Sequence, residues 1–247
     1  MRADNPNTWL AGVDGCPAGW IACFVRVQGG DVQVRIVPCF AGVLAAPESP
    51  AIIAVDMPIG LPARAGPGGR LAENAIRPLL GARQSSVFSV PSRSAIYAGE
   101  YRDACRVAQE TSDPPRKISK QLFNIAAKIR EVDACLRGSP DVAARVFEVH
   151  PELAFWRLNG ERPLMEPKKI KSKPYGPGMA MRRALLNAAG FPAGATGSAP
   201  LKGAAADDLL DALACAAVAR RLYEGLARPF PDPPPQDEFG LKMAIWA

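Results

Sequence analysis

The chemistry this chain can perform rests on aspartates. Asp14 closes the apolar run Trp9-Leu10-Ala11-Gly12-Val13, and Asp56 closes a second, Ala51-Ile52-Ile53-Ala54-Val55. Asp208 and Asp211 lie in Ala206-Asp207-Asp208-Leu209-Leu210-Asp211-Ala212-Leu213-Ala214, which has strong helical character. Residues three and four apart share a side of a helix, so Asp207, Asp208 and Asp211 project together. Like charges at that spacing weaken a bare helix by roughly 0.2–0.5 kcal/mol per pair. The helix dipole offsets part of this in the first turn, and a bound divalent cation offsets more. Carboxylates from two strand ends and one helix suit Mg²⁺ or Mn²⁺. Two such ions about 3.5–4 Å apart activate a water and stabilise the departing oxygen in phosphodiester hydrolysis, with no histidine required. The bland alternatives are that Asp207 is a helix-start acid and that Asp14, before Gly15, is a turn former.

Positioning these acids requires strands that end where the acids begin. After Asp14, the turn residues Gly15, Pro17 and Gly19 lead to a second apolar run, Trp20 to Val27. The turn Gly29-Gly30-Asp31 then leads to the alternating run Val32 to Val37, so three strands form an antiparallel meander. A short helix over Phe40 to Ala46 precedes the strand ending in Asp56, which Pro58 and Gly60 stop. From Ala63 to Ser94 the chain is rich in Gly, Pro, Ser and Arg and reads as a long functional or mobile stretch. Helices are expected near Tyr101 to Glu110, Ile118 to Leu136 and Met179 to Ala189. Ala144 to Glu152 reads as a further strand closed by Pro151, and Pro167 to Pro174 as a basic loop. The final apolar segment, Gly240 to Trp246, reads as a last strand or a surface-packed end.

With 247 residues, nearly half of them hydrophobic, the chain can bury a sizeable core. No window approaches an eighteen-residue uncharged apolar span, and Met1 to Thr8 lacks a basic segment followed by an apolar one. A cytoplasmic protein with no membrane partner is expected. The six cysteines form no C-x-x-C pair and read as small buried hydrophobes in a reducing compartment. The single histidine, His150, argues against a histidine-based triad or a histidine-rich metal site. Before Pro151 it reads as a hydrogen-bonded structural residue. A net charge of +6 is compatible with a phosphate-rich partner.

Several segments together resemble a known family: Gly12-Val13-Asp14-Gly15-Cys16 with Gly19-Trp20, Asp56-Met57-Pro58-Ile59-Gly60-Leu61, Arg83-Gln84-Ser85-Ser86-Val87-Phe88, Glu148-Val149-His150-Pro151-Glu152, and Asp207 through Ala214. They resemble domain-of-unknown-function family 429, regarded as predicted nucleases of ribonuclease H-like fold. The resemblance implies an α/β, mixed five-stranded sheet: three antiparallel strands, then two parallel to the first, flanked by helices. One domain over residues 9–228 is expected, with a helical and loop insertion over 63–140 between the fourth and fifth strands. A proline-rich tail, 229–247, would pack on it. The segment Asp208-Leu209-Leu210-Asp211-Ala212-Leu213-Ala214 is similar to the helical motif of Holliday-junction resolvases. By that similarity Asp14 would bridge two metals, and Asp208 and Asp211 would complete the set. Asp56 falls where resolvases carry a longer glutamate. Glu148 would join the site or orient a water, or else pair with an arginine such as Arg83 or Arg93. Glu152 reads as a helix N-terminal acid.

Arg83, Ser85, Ser86 and Arg93, with Lys168 and Lys169, are candidates for gripping phosphate oxygens. The lysine run equally reads as a solvated loop. A metal-dependent nuclease acting on DNA or RNA is the leading expectation. A resolvase-like action requires a homodimer, whereas a processing nuclease acts alone. The alternatives are an ATP-dependent phosphotransferase of the actin and sugar-kinase fold, and a non-catalytic nucleic-acid-binding protein. The first lacks a second Asp-Gly turn in this chain. The second leaves buried carboxylates without compensation.

Overall fold

Near-continuous burial along the first two strands marks a sheet covered on both faces. The computed structural model describes residues 7–28 and 30–247. Met1 to Pro6, most of the stretch read for a leader, and Gly29 of the Gly29-Gly30-Asp31 turn lie outside those residues. Strands β1 (Trp9–Cys16), β2 (Gly19–Arg26) and β3 (Val32–Val37) form the antiparallel meander. Strands β4 (Ile52–Val55) and β5 (Val146–Glu148) then add in parallel, giving a five-stranded sheet ordered β3-β2-β1-β4-β5. This is the α/β fold and mixed sheet that the sequence leads one to expect.

One sheet face carries Ala11, Val13, Ile53, Val55 and Val146 against helix α5 (Lys120–Arg137), whose Leu122, Ala126, Ile129 and Val132 fill that layer. Helix α1 (Phe40–Leu44) packs at its edge. The other face carries Leu10, Ile21, Cys23, Ile52 and Ala54 against helix α10 (Ala206–Tyr223), which is buried almost all round. Helices α7 (Pro151–Leu158) and α8 (Gly176–Ala188) flank α10, with the short helix α9 (Ala193–Thr196) behind them.

The stretch from Ala63 to Ser94, part of the expected helical and loop insertion, holds helix α2 (Leu71–Ile76), a 3₁₀ segment over Arg77–Ser86 and the start of helix α3 (Arg93–Tyr97). Helices α4 (Tyr101–Glu110) and α6 (Pro140–Ala143) complete the insertion between β4 and β5. The segment from Ala144 to Glu152 is not a single strand, because β5 stops at Glu148 and Pro151 opens α7, the first-turn position where its missing N–H is harmless. The basic loop contains a tight hairpin, β6 (Lys169–Ile170) with β7 (Lys173–Pro174), turned by Lys171 and Ser172 in left-handed conformations. Of the cysteines, Cys16, Cys23, Cys105 and Cys215 are buried as expected, whereas Cys39 is exposed and Cys135 half-buried.

In the tail, β8 (Pro229–Phe230) pairs with β9 (Ile245–Trp246). Phe230 meets Trp156 of α7, and Trp246 meets Phe147 of β5, edge to face. Among the described residues no helix is long and apolar enough to cross a membrane.

Candidate functional site

The parallel register of β1 and β4 pairs Gly12 with Ala54 and Val13 with Val55. The Asp56 amide continues it by donating to the Val13 carbonyl at 2.9 Å, so Asp14 and Asp56 emerge side by side at the carboxyl ends of neighbouring strands. Ligands of open α/β sheets bind outside these strand ends. By the two-residue period, Leu10, Gly12 and Asp14 face α10. Gly12 is required there: a Cβ on it would lie 2.1 Å from the Ala212 carbonyl oxygen and 2.1 Å from the Ala216 amide nitrogen. That contact seats α10 directly on β1 and sets Asp211, one residue before Ala212, above Asp14. One carboxylate oxygen from each of Asp14, Asp56 and Asp211 lies within 4.8 Å of the other two.

Three acids so close, with Asp14 and Asp211 buried, repel strongly. At an effective dielectric near 20, two charges at this separation interact by roughly 3–4 kcal/mol. Burial, followed by Asp56 and Asp211, pushes the Asp14 carboxyl well above its ordinary range. Burial and then Asp211 raise Asp56 to about 8. Asp211 is raised to about 6 by burial, against the opposing pull of Lys168. The second oxygens of Asp207 and Asp211, both Oδ1, are buried without a hydrogen-bond partner.

Lys168 is built into this cluster. Its ammonium is ion-paired to Asp211 Oδ2 and stands 3.9 Å from Asp207 Oδ2, while Lys169 Nζ reaches Asp207 Oδ2 at 2.5 Å. The backbone beneath Lys168 is pinned from three directions. Arg182, fully buried and bidentate on Glu152 at 2.6 and 2.8 Å, donates to the Glu166 carbonyl at 3.1 Å. A Cβ on Gly178 would lie 1.9 Å from the Pro167 carbonyl oxygen, and the Tyr175 amide donates to the Lys168 carbonyl at 2.9 Å. Four acids, Asp14, Asp56, Asp207 and Asp211, thus face two ammonium groups; with all four ionised the excess of negative charge equals one divalent cation.

The other expected site residues lie elsewhere or are engaged. Asp208 is half-buried, and its Oδ2 accepts the Ala205 amide at 2.8 Å, which makes it the helix-start acid. Asp207, read as that acid, instead faces the cluster. Glu148 pairs in register with Val55, so it points to the α5 face, away from α10. It accepts the Ile59 amide at 2.7 Å and is clasped by Arg70 at 2.5 and 2.9 Å, and Arg70 also holds Glu73 at 2.6 Å. Its arginine partner is therefore Arg70, neither Arg83 nor Arg93. Arg93 binds Asp133, Asp237 and Glu238, tying the tail to α5. Arg83 makes no ion pair among the described residues. Ser85 and Ser86 are exposed on the 3₁₀ segment, with the Ser86 hydroxyl donating to the Arg83 carbonyl at 2.7 Å. Glu152 does open α7, yet it is buried as the partner of Arg182.

A hollow of about 220 Å³ adjoins the acids, bordered by Asp14, Asp56, Glu148, Phe88, Lys128 and His150 among others. His150 Nε2 lies 3.4 Å from the Ser86 carbonyl oxygen, and Nδ1 is buried without a partner. Burial lowers the imidazole to about 4, so the ring is neutral at pH 7. Arg70, Glu73 and Lys128 were not singled out from the sequence; the Arg70-x-x-Glu73 spacing is the one local signal that points to the first two.

This chain belongs to the family described as protein of unknown function (DUF429), whose model matches residues 12–236. No curated protein and no solved structure matches it.

Proposed function

We propose that this chain is a metal-dependent hydrolase of phosphodiester bonds in nucleic acid, built on a ribonuclease H-like sheet. The observation that carries this reading is the convergence of Asp14, Asp56 and Asp211 within 4.8 Å, with buried carboxylate oxygens left unpartnered beside them. The donor set fits Mg²⁺ or Mn²⁺, since hard cations of this size take several oxygens at about 2.0–2.1 Å. Asp14, Asp56 and Asp211 would hold the first ion. A second would draw on Asp208 at the rim and on Asp211 once Lys168 releases it. Bound there, the ions supply the positive charge that activates a water and stabilises the departing oxygen.

The chain's own residues bind and orient. Lys168 and Lys169 offer ammonium groups at the edge of the acids, where the phosphate oxygens of a substrate lie. Arg83, which makes no ion pair among the described residues, offers a planar fork to a phosphate. Hydrolysis joins a water oxygen to phosphorus and breaks one phosphorus–ester bond. The ester oxygen leaves with the electron pair and takes up a proton, while the proton lost by the water passes to solvent. The exposed Lys171 and Lys173 of the hairpin and the net charge of +6 support a nucleic-acid partner. Six free cysteines support a reducing, cytoplasmic setting.

The test is cleavage of end-labelled single- and double-stranded DNA and RNA, with Mn²⁺ or with chelator. Products are expected only with the ion, and Asp14→Asn lowers the rate by roughly 10²–10³-fold. Absence of cleavage of every substrate in Mn²⁺ contradicts the reading.

A further inference from the structure

The hollow beside the acids is walled on several sides. Its floor is the ends of β1, β4 and β5, and its walls come from the segment after the 3₁₀ turn, from α5 and from β9. Met57, Val87, Phe88, Ile125 and Ile245 make these walls mainly apolar. The polar lining consists of Asp14, Asp56 and Ser86, of Glu73 and Glu148, both held by Arg70, of Lys128, which is engaged by the Gly19 carbonyl and lies over the Trp20 ring at 4.7 Å, and of His150, whose Nδ1 is buried and unpartnered. Apolar walls with placed polar groups are the make-up of a small-molecule pocket. A volume of about 220 Å³ holds roughly seven waters at about 30 Å³ each. One ring system with its sugar fits such a space, but a duplex, whose major groove alone is about 12 Å across, does not.

We propose that this hollow receives one nucleotide at the end of a single nucleic-acid strand, so that the site trims strands from an end. The inference rests on the reading of the acids as a phosphodiesterase centre. The terminal base lies against the half-buried Phe88, whose ring stacks without regard to sequence. His150 Nδ1 gains a partner on the edge of that base. The sugar–phosphate linkage then reaches Asp14 and Asp56, which line the same hollow. A water oxygen joins the phosphorus of the last linkage, and the bond to the neighbouring nucleotide's sugar oxygen breaks. That oxygen takes a proton, and a nucleoside monophosphate is released. An uninterrupted strand has no end to offer to a hollow of about 220 Å³.

The experiment compares linear and covalently closed circular single strands of the same sequence, as DNA and as RNA, in Mn²⁺. Mononucleotides are expected from the linear strands while the circles stay intact, and the DNA and RNA arms identify the sugar preferred. Ile125→Trp fills the hollow and is expected to slow trimming by roughly tenfold or more, with Mn²⁺ binding unchanged by calorimetry. Phe88→Ala is expected to raise KM more than it lowers kcat. Cutting of the circles overturns the inference and leaves the nuclease reading standing. Normal trimming by both Ile125→Trp and Phe88→Ala also overturns it. If neither linear nor circular strands are cut, both fall together.

Discussion

Gly12 on β1 lies so close to Ala216 on α10 that a Cβ on the glycine would come within 2.1 Å of the alanine's amide nitrogen. The acid cluster depends on this contact, because Asp14 stands two residues after Gly12 and Asp211 five before Ala216. Both neighbouring atoms are helix backbone, so the clash can be relieved only by moving α10. Gly12→Ala is expected to destabilise the protein by about 3 kcal/mol, a typical figure for an overpacked core. In a domain of this size that lowers Tm by roughly 6–12 °C. Thermal denaturation measures it, and an unchanged Tm contradicts the packing described.

Lys168 is the counter-charge already present in the cluster. Lys168→Met leaves Asp211 and Asp207 with less compensation, so the ion-free protein is expected to lose stability. Removing a competing cation also frees Asp211 Oδ2, and Mn²⁺ affinity is expected to rise by roughly tenfold, about 1.4 kcal/mol. Calorimetric titration of the variant beside wild type checks both the sign and the size.

Glu148 and Asp56 end adjacent strands but project to opposite faces. Glu148→Gln is therefore expected to keep Mn²⁺ binding, while Asp56→Asn weakens it. Arg70→Met behaves differently, since it leaves Glu73 and Glu148 buried without their shared partner, and a loss of roughly 3–5 kcal/mol is expected. Denaturant unfolding of Arg70→Met, with ion titration of the two acid variants, separates the structural pair from the cluster.

The pH dependence has two limbs of opposite origin. Asp211 at about 6 and Asp56 at about 8 stand above the ordinary carboxyl value near 4, so between these values the folded state binds more protons than the unfolded one. Stability of the ion-free protein therefore falls as pH rises from about 4 to 8. His150, lowered to about 4 from an ordinary value near 6.5, contributes the reverse, a loss as pH falls through that interval. Above about pH 7 only the carboxylate limb remains. With chelator, Tm is expected to drop between pH 7 and pH 8.5, and saturating Mn²⁺ is expected to abolish the drop. A Tm that rises across that range with chelator contradicts the electrostatics of the cluster.

Much of the frame was legible in the sequence because its signals are local. Apolar runs that stop at Asp14 and Asp56 mark strand ends, and the alanine-rich segment after Asp211 marks a buried helix. What escaped depends on contacts distant in sequence. Which of Asp207 and Asp208 caps the helix and which meets the lysines is set by the rotation of α10 about its axis: Asp208 accepts the Ala205 amide, and Asp207 meets Lys168 and Lys169. The face taken by Glu148 follows from the β4–β5 register, since a one-residue shift would turn it over. Pro151 reads equally as a strand stop or a helix start, and only the chain that follows resolves it. The helices between Ala63 and Ser94 are masked by Gly, Pro and Arg, and are held by Arg70 reaching Glu148, seventy-eight positions away.

The most direct test of the central claim, that Asp14, Asp56 and Asp211 form one cation site, is calorimetric titration of Mn²⁺ into wild type, Asp14→Asn and Asp211→Asn. Wild type is expected to bind the ion, and each variant, still folded by circular dichroism, to lose at least tenfold in affinity, about 1.4 kcal/mol. No binding to wild type, or equal binding by all three proteins, contradicts it.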